Sequence, residues 1–359
     1  GLDGPEGKTG MTQTITETIG VDLGDKHSAY FVVDQVTGEE VARGRLRTRP
    51  EDFRRFFASR ATARVVMEAG THSPWASRIT EPFCAETYVA NSRTLRFIYG
   101  NKRKSDDKDA EALARVARAD PKLLSAIQHR GEAAAQDLAV IRARAVMVSC
   151  RTDLVNSLRG LVKSFGARLP RISPESIGEK TATLLPEALR EQLTPLLRSI
   201  QHLSKQITSM DREIRKKARE SYPETSALTQ VWGIAELTAL AYVLTLEDPD
   251  RFRKSRTAGA FLGLVPGRDQ SGETEKELRI TKAGDGLVRT LLVECAQRML
   301  QRNAPDSDLK RYGLRIAANG GKVAKRKAVV AVARKLAVLL HALWKTGEVY
   351  EPLRSERTA

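Results

Sequence analysis

Between Thr18 and about Asp120 the chain sets down three short strands, then helix, strand, helix, strand and helix, and few folds accept that order. Gly20 to Leu23, Ser28 to Asp34 and Glu40 to Leu46 read as the three strands, joined by a Gly-Asp-Lys turn and by Val36-Thr37-Gly38. Pro50 to Ser59 reads as a helix, with proline at its start and Phe53, Phe56 and Phe57 on one face. Arg64 to Glu68 and Thr87 to Asn91 read as two more strands, and Pro74 to Pro82 and Asp106 to Arg118 as two more helices.

That is the order of the ribonuclease-H fold, in which the middle of the first strand, the end of the fourth and the last helix converge. Four acids fall there. Asp22 lies in the apolar run Thr18 to Leu23, where a carboxylate pays for desolvation unless it is paired or bound to metal. Glu68 closes the second apolar run, just before a glycine turn. Asp106 and Asp109 are three apart and share one face of a helix. Such a set could bind two hard divalent ions about 4 Å apart, an arrangement used for phosphodiester cleavage. Asp106 has a competing role as a helix N-cap, and Asp109 is favoured there by the helix dipole. Asp107 and Glu111 lie close by; adjacent helical residues point about 100° apart, and spacing does not choose between Asp106 and Asp107.

With 359 residues, 41% of them hydrophobic, the chain can fill two or three domains. No apolar run approaches the roughly 18 residues of a membrane span. Three widely spaced cysteines, Cys84, Cys150 and Cys295, exclude a disulfide framework and any zinc spacing, and are expected to be buried thiols in a reducing cytoplasm. Gly1 to Gly10, ahead of Met11, reads as an appended remnant and not as a targeting signal. A net charge of +16 favours a polyanionic partner. The cations recur along the chain: Arg93, Arg96, Lys102, Arg103 and Lys104 first, then Arg142, Arg144, Arg151, Arg159 and Lys163. Further clusters follow at Lys216-Lys217, Arg251 to Arg256 and Lys322 to Lys327. Contacts of this kind go mainly to phosphates and make binding salt dependent.

Glu132 to about Gly166 is a long helical run. A second helix carries Leu189, Leu193, Leu196, Ile200, Leu203, Ile207, Met210 and Ile214 at alternating spacings of four and three, a heptad seam whose partner must be a helix. An intramolecular hairpin and an intermolecular coiled coil satisfy it equally. After Pro223 the chain reads as a third, mainly helical domain, with a loop from Gly267 to Glu273. Ser271 in that loop is by itself an ordinary turn residue; as a nucleophile it needs a base or a metal to take its proton. His27, His72, His129, His202 and His341 are too scattered for a triad, and His72, four after Glu68, is the one expected near the acids. Arg268, Arg279 and Lys282 flank the serine and could hold a phosphate.

The motifs Ile19-Gly20-Val21-Asp22, Met67-Glu68-Ala69-Gly70 and Ser105 to Ala114 are followed by Trp232-Gly233-Ile234, Asp248 to Phe252, Gly263-Leu264-Val265-Pro266, Ser271-Gly272 and Ile280 to Gly284. In this order the chain resembles the DEDD transposases of the insertion sequence 110 family, RNA-guided recombinases that use a bridge or seeker RNA. Ala235 and Glu273 stand where many members carry glycine.

The resemblance implies an α/β plus α architecture: a RuvC-like (RNase H fold) domain over 11–125, a helical coiled-coil region for dimerisation and RNA binding over 126–222, a transposase domain over 223–350 and a tail over 351–359. It further implies Asp22, Glu68, Asp106 and Asp109 as ligands of Mg2+, two ions per site. Ser271 would be the nucleophile, forming a covalent phosphoserine link to DNA. Guide RNA, donor and target double-stranded DNA, and other copies of the chain in a dimer and synaptic tetramer would be the partners. The setting would be cytoplasmic, at the nucleoid when acting, and without a membrane. Two other functions fit the residues less fully: a metal-dependent junction endonuclease without serine chemistry, and a non-enzymatic RNA-binding scaffold.

Overall fold

A computed structural model describes residues 14–92, 106–271 and 274–357, with the side chains of 268–271, 274–277 and 356–357 set aside. The chain divides into two compact units, Gly1–Arg130 and Gly131–Ala359.

The first unit runs β1 (Glu17–Asp22), β2 (His27–Asp34), β3 (Glu40–Arg47), α1 (Pro50–Phe57), β4 (Ala63–Glu68), α2 (Ser73–Thr80), β5 (Glu86–Ala90) and α3 (Asp106–Ala119). The strands form one sheet in the order β3-β2-β1-β4-β5. β1 to β3 pair antiparallel, while β1, β4 and β5 pair parallel. This mixed sheet is compatible with a ribonuclease-H-like domain, and each strand lies within a few residues of its expected place.

Side chains alternate across the pleat, which sorts the two faces. Ile19, Val21, Val65 and Met67 pack with Phe53, Phe57 and Ala76 under α1 and α2. On the other face Ala29, Phe31 and Val33 meet Ala110 and Ala114 of α3, and Val66 and Ala90 meet Leu113 and Ala117. The sheet-facing stripe of α3 is mostly alanine, so the helix lies close. A Cβ on Gly20 would stand 2.0 Å from the Ala110 carbonyl oxygen and 2.6 Å from the Ala114 nitrogen.

The second unit contains α4 (Glu132–Ser164), α5 (Glu187–Ser221), α6 (Thr225–Thr229), α7 (Glu236–Leu246), α8 (Arg256–Phe261), the hairpin of β6 (Pro266–Ser271) and β7 (Thr274–Ile280), α9 (Gly286–Met299), α10 (Asp308–Ala317) and α11 (Gly321–Thr346). Every residue of α7 from Thr238 to Leu246 is buried, as expected of a helix apolar all round. Its core is shared by Leu138 and Ile141 of α4, Ile214 of α5, Leu292 of α9 and Leu336 of α11.

The seam of α5 finds its partner inside the chain. α4 and α5 run antiparallel, linked by Arg144 to Asp211 at 2.5 Å, Arg151 to Ser204 at 3.3 Å and the Tyr222 hydroxyl to Asp137 at 2.6 Å. The buried line differs from the expected one in its second half. Leu197 and Ser204 are buried in place of Leu196 and Leu203, and Asp211 takes the position assigned to Met210. The inward stripe passes through polar residues that arginines of α4 satisfy, which a count of apolar positions alone misses.

Other expectations need correction. The segment from Pro266 to Ser271 is a strand and not a loop, because Thr274–Ile280 pairs with it. The helix Asp308–Ala317 was not expected at all. All three cysteines are free, but Cys150 is exposed on α4; only Cys295 is buried and Cys84 is half-buried. Among the described residues no helix is long and apolar enough to cross a membrane.

Candidate active site

Asp22 ends β1 and Glu68 ends β4, one step beyond the parallel pair Val21 and Met67. Neighbouring strands lie about 4.8 Å apart. Asp22 shares its parity with Gly20, which touches α3, and Glu68 shares its parity with Val66, which packs on Leu113. Both carboxylates therefore stand on the α3 face of the sheet.

The direction of α3 is fixed at both ends. Arg64, at the start of β4, donates to the carbonyl of Ala117 at 3.1 Å. At the other end Asp107 lies 3.5 Å from Arg45, which pairs in register with Ala29 and through it with Asp22. The first turn of α3 thus lies over the end of the sheet where β1 and β4 finish. Helical periodicity separates its acids. Asp106 and Asp109 continue the line of Leu113 and Ala117 toward β4, while Asp107 continues the line of Ala110 and Ala114 toward β2 and meets Arg45. Asp109 is half-buried and Asp106 exposed.

The loop after β4 is held by buried polar contacts. Ser73, fully buried, donates to the Gly70 carbonyl at 2.9 Å and accepts from the Gly70 amide at 3.0 Å. Its hydroxyl proton is committed there, so His129 donates from Nε2 across 2.8 Å. Burial, with Arg78 and Arg130 nearby, holds the His129 imidazole below its ordinary range. His72 is placed in the same loop: its Nδ1 accepts from the Trp75 indole at 3.1 Å and its Nε2 lies 3.7 Å from Asp25. Sequence reasoning missed Ser73 and His129; the Ser-Pro pair opening α2 was the one local signal.

All four acids are carboxylates, the ligand chemistry that hard divalent cations take, so the donor set fits Mg2+ in kind. Among the described residues, no three His, Cys, Asp or Glu side chains are grouped closely enough to hold a metal ion. The acids share one end and one face of the sheet, but their side chains are not drawn together.

In the second unit Ser271 is the last residue of β6 and pairs with Thr274, the first of β7. It stands at the tip of a two-stranded arm; Gly272 and Glu273 lie outside the described residues. The base of the arm is packed backbone on backbone. A Cβ on Gly263 would lie 2.2 Å from the Ala283 oxygen, and one on Gly284 would lie 2.0 Å from the Phe261 oxygen. Both glycines have φ near +70°, which suits residues without a Cβ. Lys282 joins this lock at φ 53°, its amide donating to Gly263 at 3.1 Å. Ala235, by contrast, has φ −101°, open to any residue.

The candidate nucleic-acid contacts divide by placement. Lys163, Arg279 and Lys282 are exposed. Arg142 is exposed and reaches Asp285 at 2.9 Å, and Arg159 donates to the Ile172 carbonyl at 3.1 Å. Arg144 is held by both oxygens of Asp211. Arg151 is buried, with Glu175 at 2.8 Å, and belongs to the helix pair and not to an open surface. The Arg268 side chain is not described, and Arg93, Arg96, Lys102, Arg103 and Lys104 lie outside the described residues.

Known proteins share both halves of this arrangement. Residues 19–166 match a family profile for transposases of the IS110 DEDD type, and residues 225–312 match the transposase IS116/IS110/IS902 family. Both profiles describe transposases, and the class of protein they define is a DNA transposase. The chain belongs to the IS110 family of DEDD transposases. A probable family 20 transposase of Pseudomonas aeruginosa is 29% identical over 345 residues, covering 93% of this chain and 98% of the relative. The transposase for insertion sequence element IS1111A of Coxiella burnetii is 28% identical, covering 70% of each chain. That for IS1328 of Yersinia enterocolitica is 28% identical, covering 79% of this chain and 84% of its own.

Proposed function

We propose that the chain is an RNA-guided DNA recombinase that cuts and exchanges donor and target strands through a phosphoserine intermediate. The observation that carries this reading is the placement of Asp22, Glu68, Asp106 and Asp109 at one end of the sheet, on the face under α3. In this reading residues 11–125 form a RuvC-like metal-binding domain, 126–222 a helical region for RNA and for pairing with a second copy as a coiled coil, and 223–350 the domain that presents Ser271.

The four carboxylates would hold Mg2+, which when bound polarises a phosphate and lowers the proton affinity of an attacking hydroxyl. Ser271 Oγ attacks the phosphorus, the Oγ–P bond forms and the bond to the 3′ oxygen breaks. The serine proton ends on that oxygen, leaving a free 3′-hydroxyl. A 3′-hydroxyl of another strand then reverses the step, restoring the serine and joining new partners. Arg279 and Lys282, exposed on and beside the serine arm, balance the phosphate charge. A guide RNA pairing with both DNAs supplies sequence choice, with the protein reading shape. The serine of one protomer would meet the acids of another within a dimer or synaptic tetramer.

The test is to trap the intermediate. Full-length protein with its co-purified RNA, Mg2+ and labelled donor DNA is quenched in detergent and run on a denaturing gel. A labelled protein band that Ser271→Ala abolishes while the RNA stays bound supports the reading. Cleavage without any adduct makes the protein a hydrolytic junction endonuclease, and an adduct that survives Ser271→Ala overturns the serine.

A further inference from the structure

We infer that the groove bounded by α8, β7, α10 and α11 is a seat for an unpaired nucleic-acid strand, with phosphates along its rim and bases on its floor. Its volume is about 1270 Å³, above the roughly 300–1,000 Å³ typical of small-ligand pockets. α11 supplies Arg326, Lys327, Arg334 and Lys335 to its lining, and Arg256 and Arg279 join them. Among the described residues Arg326, Lys327 and Arg334 form no ion pair. From Arg326 to Arg334 is about 12 Å along a helix, enough to meet more than one phosphate of an extended strand. Two acids also line the groove, and Asp308 is already engaged by the Ser355 amide at 3.0 Å.

The floor decides which polyanion fits. Leu264, Ile280, Val330, Val338 and Leu339 line it, and Leu278 and Val323 are 52% and 68% exposed. Exposed apolar surface inside a ring of cations is not matched by a duplex, which turns phosphates outward and keeps its base faces stacked. An unpaired strand offers both chemistries at once, phosphate to the rim and base and sugar to the floor. Tyr350 lies among the lining residues, and Tyr312 carries the Lys335 ammonium 3.9 Å above its ring. An acidic protein segment would satisfy the rim equally, but strand exchange on DNA already supplies unpaired strands. The choice rests on the chain being a transposase and not on the serine.

Full-length protein is titrated against fluorescein-labelled DNA and RNA strands of about 15 nucleotides, and against the matching duplex, over a range of salt. Arg326→Glu with Lys327→Glu is expected to weaken strand binding about tenfold or more, lowering the salt slope by about 0.7 for each phosphate that is no longer neutralised. Ala331→Trp, which fills the floor, should weaken binding with little change of slope, while Lys180→Glu, away from the groove, changes charge without effect. The milder Arg334→Gln, with circular dichroism on each variant, separates weakened recognition from misfolding. The preference between the DNA and RNA strands identifies which one is seated. Wild-type strand affinity in the groove variants overturns the inference, as does an equal proportional loss for the duplex. Ser271→Ala is expected to bind strands normally, so a failure here and a failure of the serine reading are told apart.

Discussion

A Cβ on Gly20 would stand 2.0 Å from the carbonyl oxygen of Ala110, so the first strand and the acid-bearing helix touch backbone to backbone two residues before Asp22. No side chain can give way there. Gly20→Ala should cost about 3 kcal/mol or more, at or beyond the upper end of ordinary overpacking, and remove strand cleavage with it. Gly70 has open space around its would-be Cβ, and Gly70→Ala should stay within about 0.5 kcal/mol of the parent. Urea midpoints for the two variants make the comparison.

The adjacent acids of α3 should part company in function. Asp107 faces Arg45, whereas Asp106 lies on the line of Leu113 toward β4. Asp106→Asn is expected to abolish Mg2+-dependent cleavage, and Asp107→Asn to retain most of it, by single-turnover assay on labelled DNA. Loss in the second variant with retention in the first reverses the assignment.

Much of the first unit could be read from the chain because its strands are short, apolar and bounded by turns, and because Asp22 is an anomaly inside such a run. The direction of α3 could not be read. It follows from Arg64 and Arg45, two residues whose meaning depends on what lies across the sheet. The serine arm was missed because β6 and β7 are polar strands whose only strong signal is each other. In α5 Ile200, Ile207 and Ile214 face inward as expected, while the alternate positions shift by one residue; two of these, Ser204 and Asp211, look like surface until Arg151 and Arg144 are opposite them.

Arg151 gives a direct check on that stripe. Its Nε is buried without a hydrogen-bond partner, and its partner Glu175 is 60% exposed and stays in water when the arginine is lost, so an apolar side chain of similar volume leaves no buried charge unpaired. Arg151→Met should leave nucleic-acid affinity and its salt slope unchanged and the melting temperature equal or higher. A fall in affinity without a fall in stability would return Arg151 to the binding surface.

His341 sets an acid limit on the second unit. The fully buried ring donates from Nε2 to the Pro249 carbonyl at 2.9 Å, and Nδ1 accepts from Ser255 at 2.9 Å. Burial holds its pKa below the ordinary 6.5. As pH falls through about 6.5 the unfolded chain takes up a proton that the folded chain refuses, so stability declines until the lowered folded value is reached. His129 shifts in the same direction. Denaturation midpoints between roughly pH 5 and 7 should therefore fall less steeply in His341→Gln than in the parent, without becoming flat.

The polar pairs between α4 and α5 act as a register key. Arg144 and Arg151 are seven residues apart on one helix, and Asp211 and Ser204 are seven apart on the other, running the opposite way. An all-leucine seam would tolerate a slip of one heptad at little cost. Here a slip in one direction sets Asp137 against Asp211, two like charges, and leaves Arg151 facing Leu197; in the other Arg151 meets Asp211, but Arg144 is stranded against Ala218 and Ser204 faces Leu158. One alignment therefore satisfies Arg144, Arg151 and Asp137 together, and the closure of the hairpin is set by charge as much as by length.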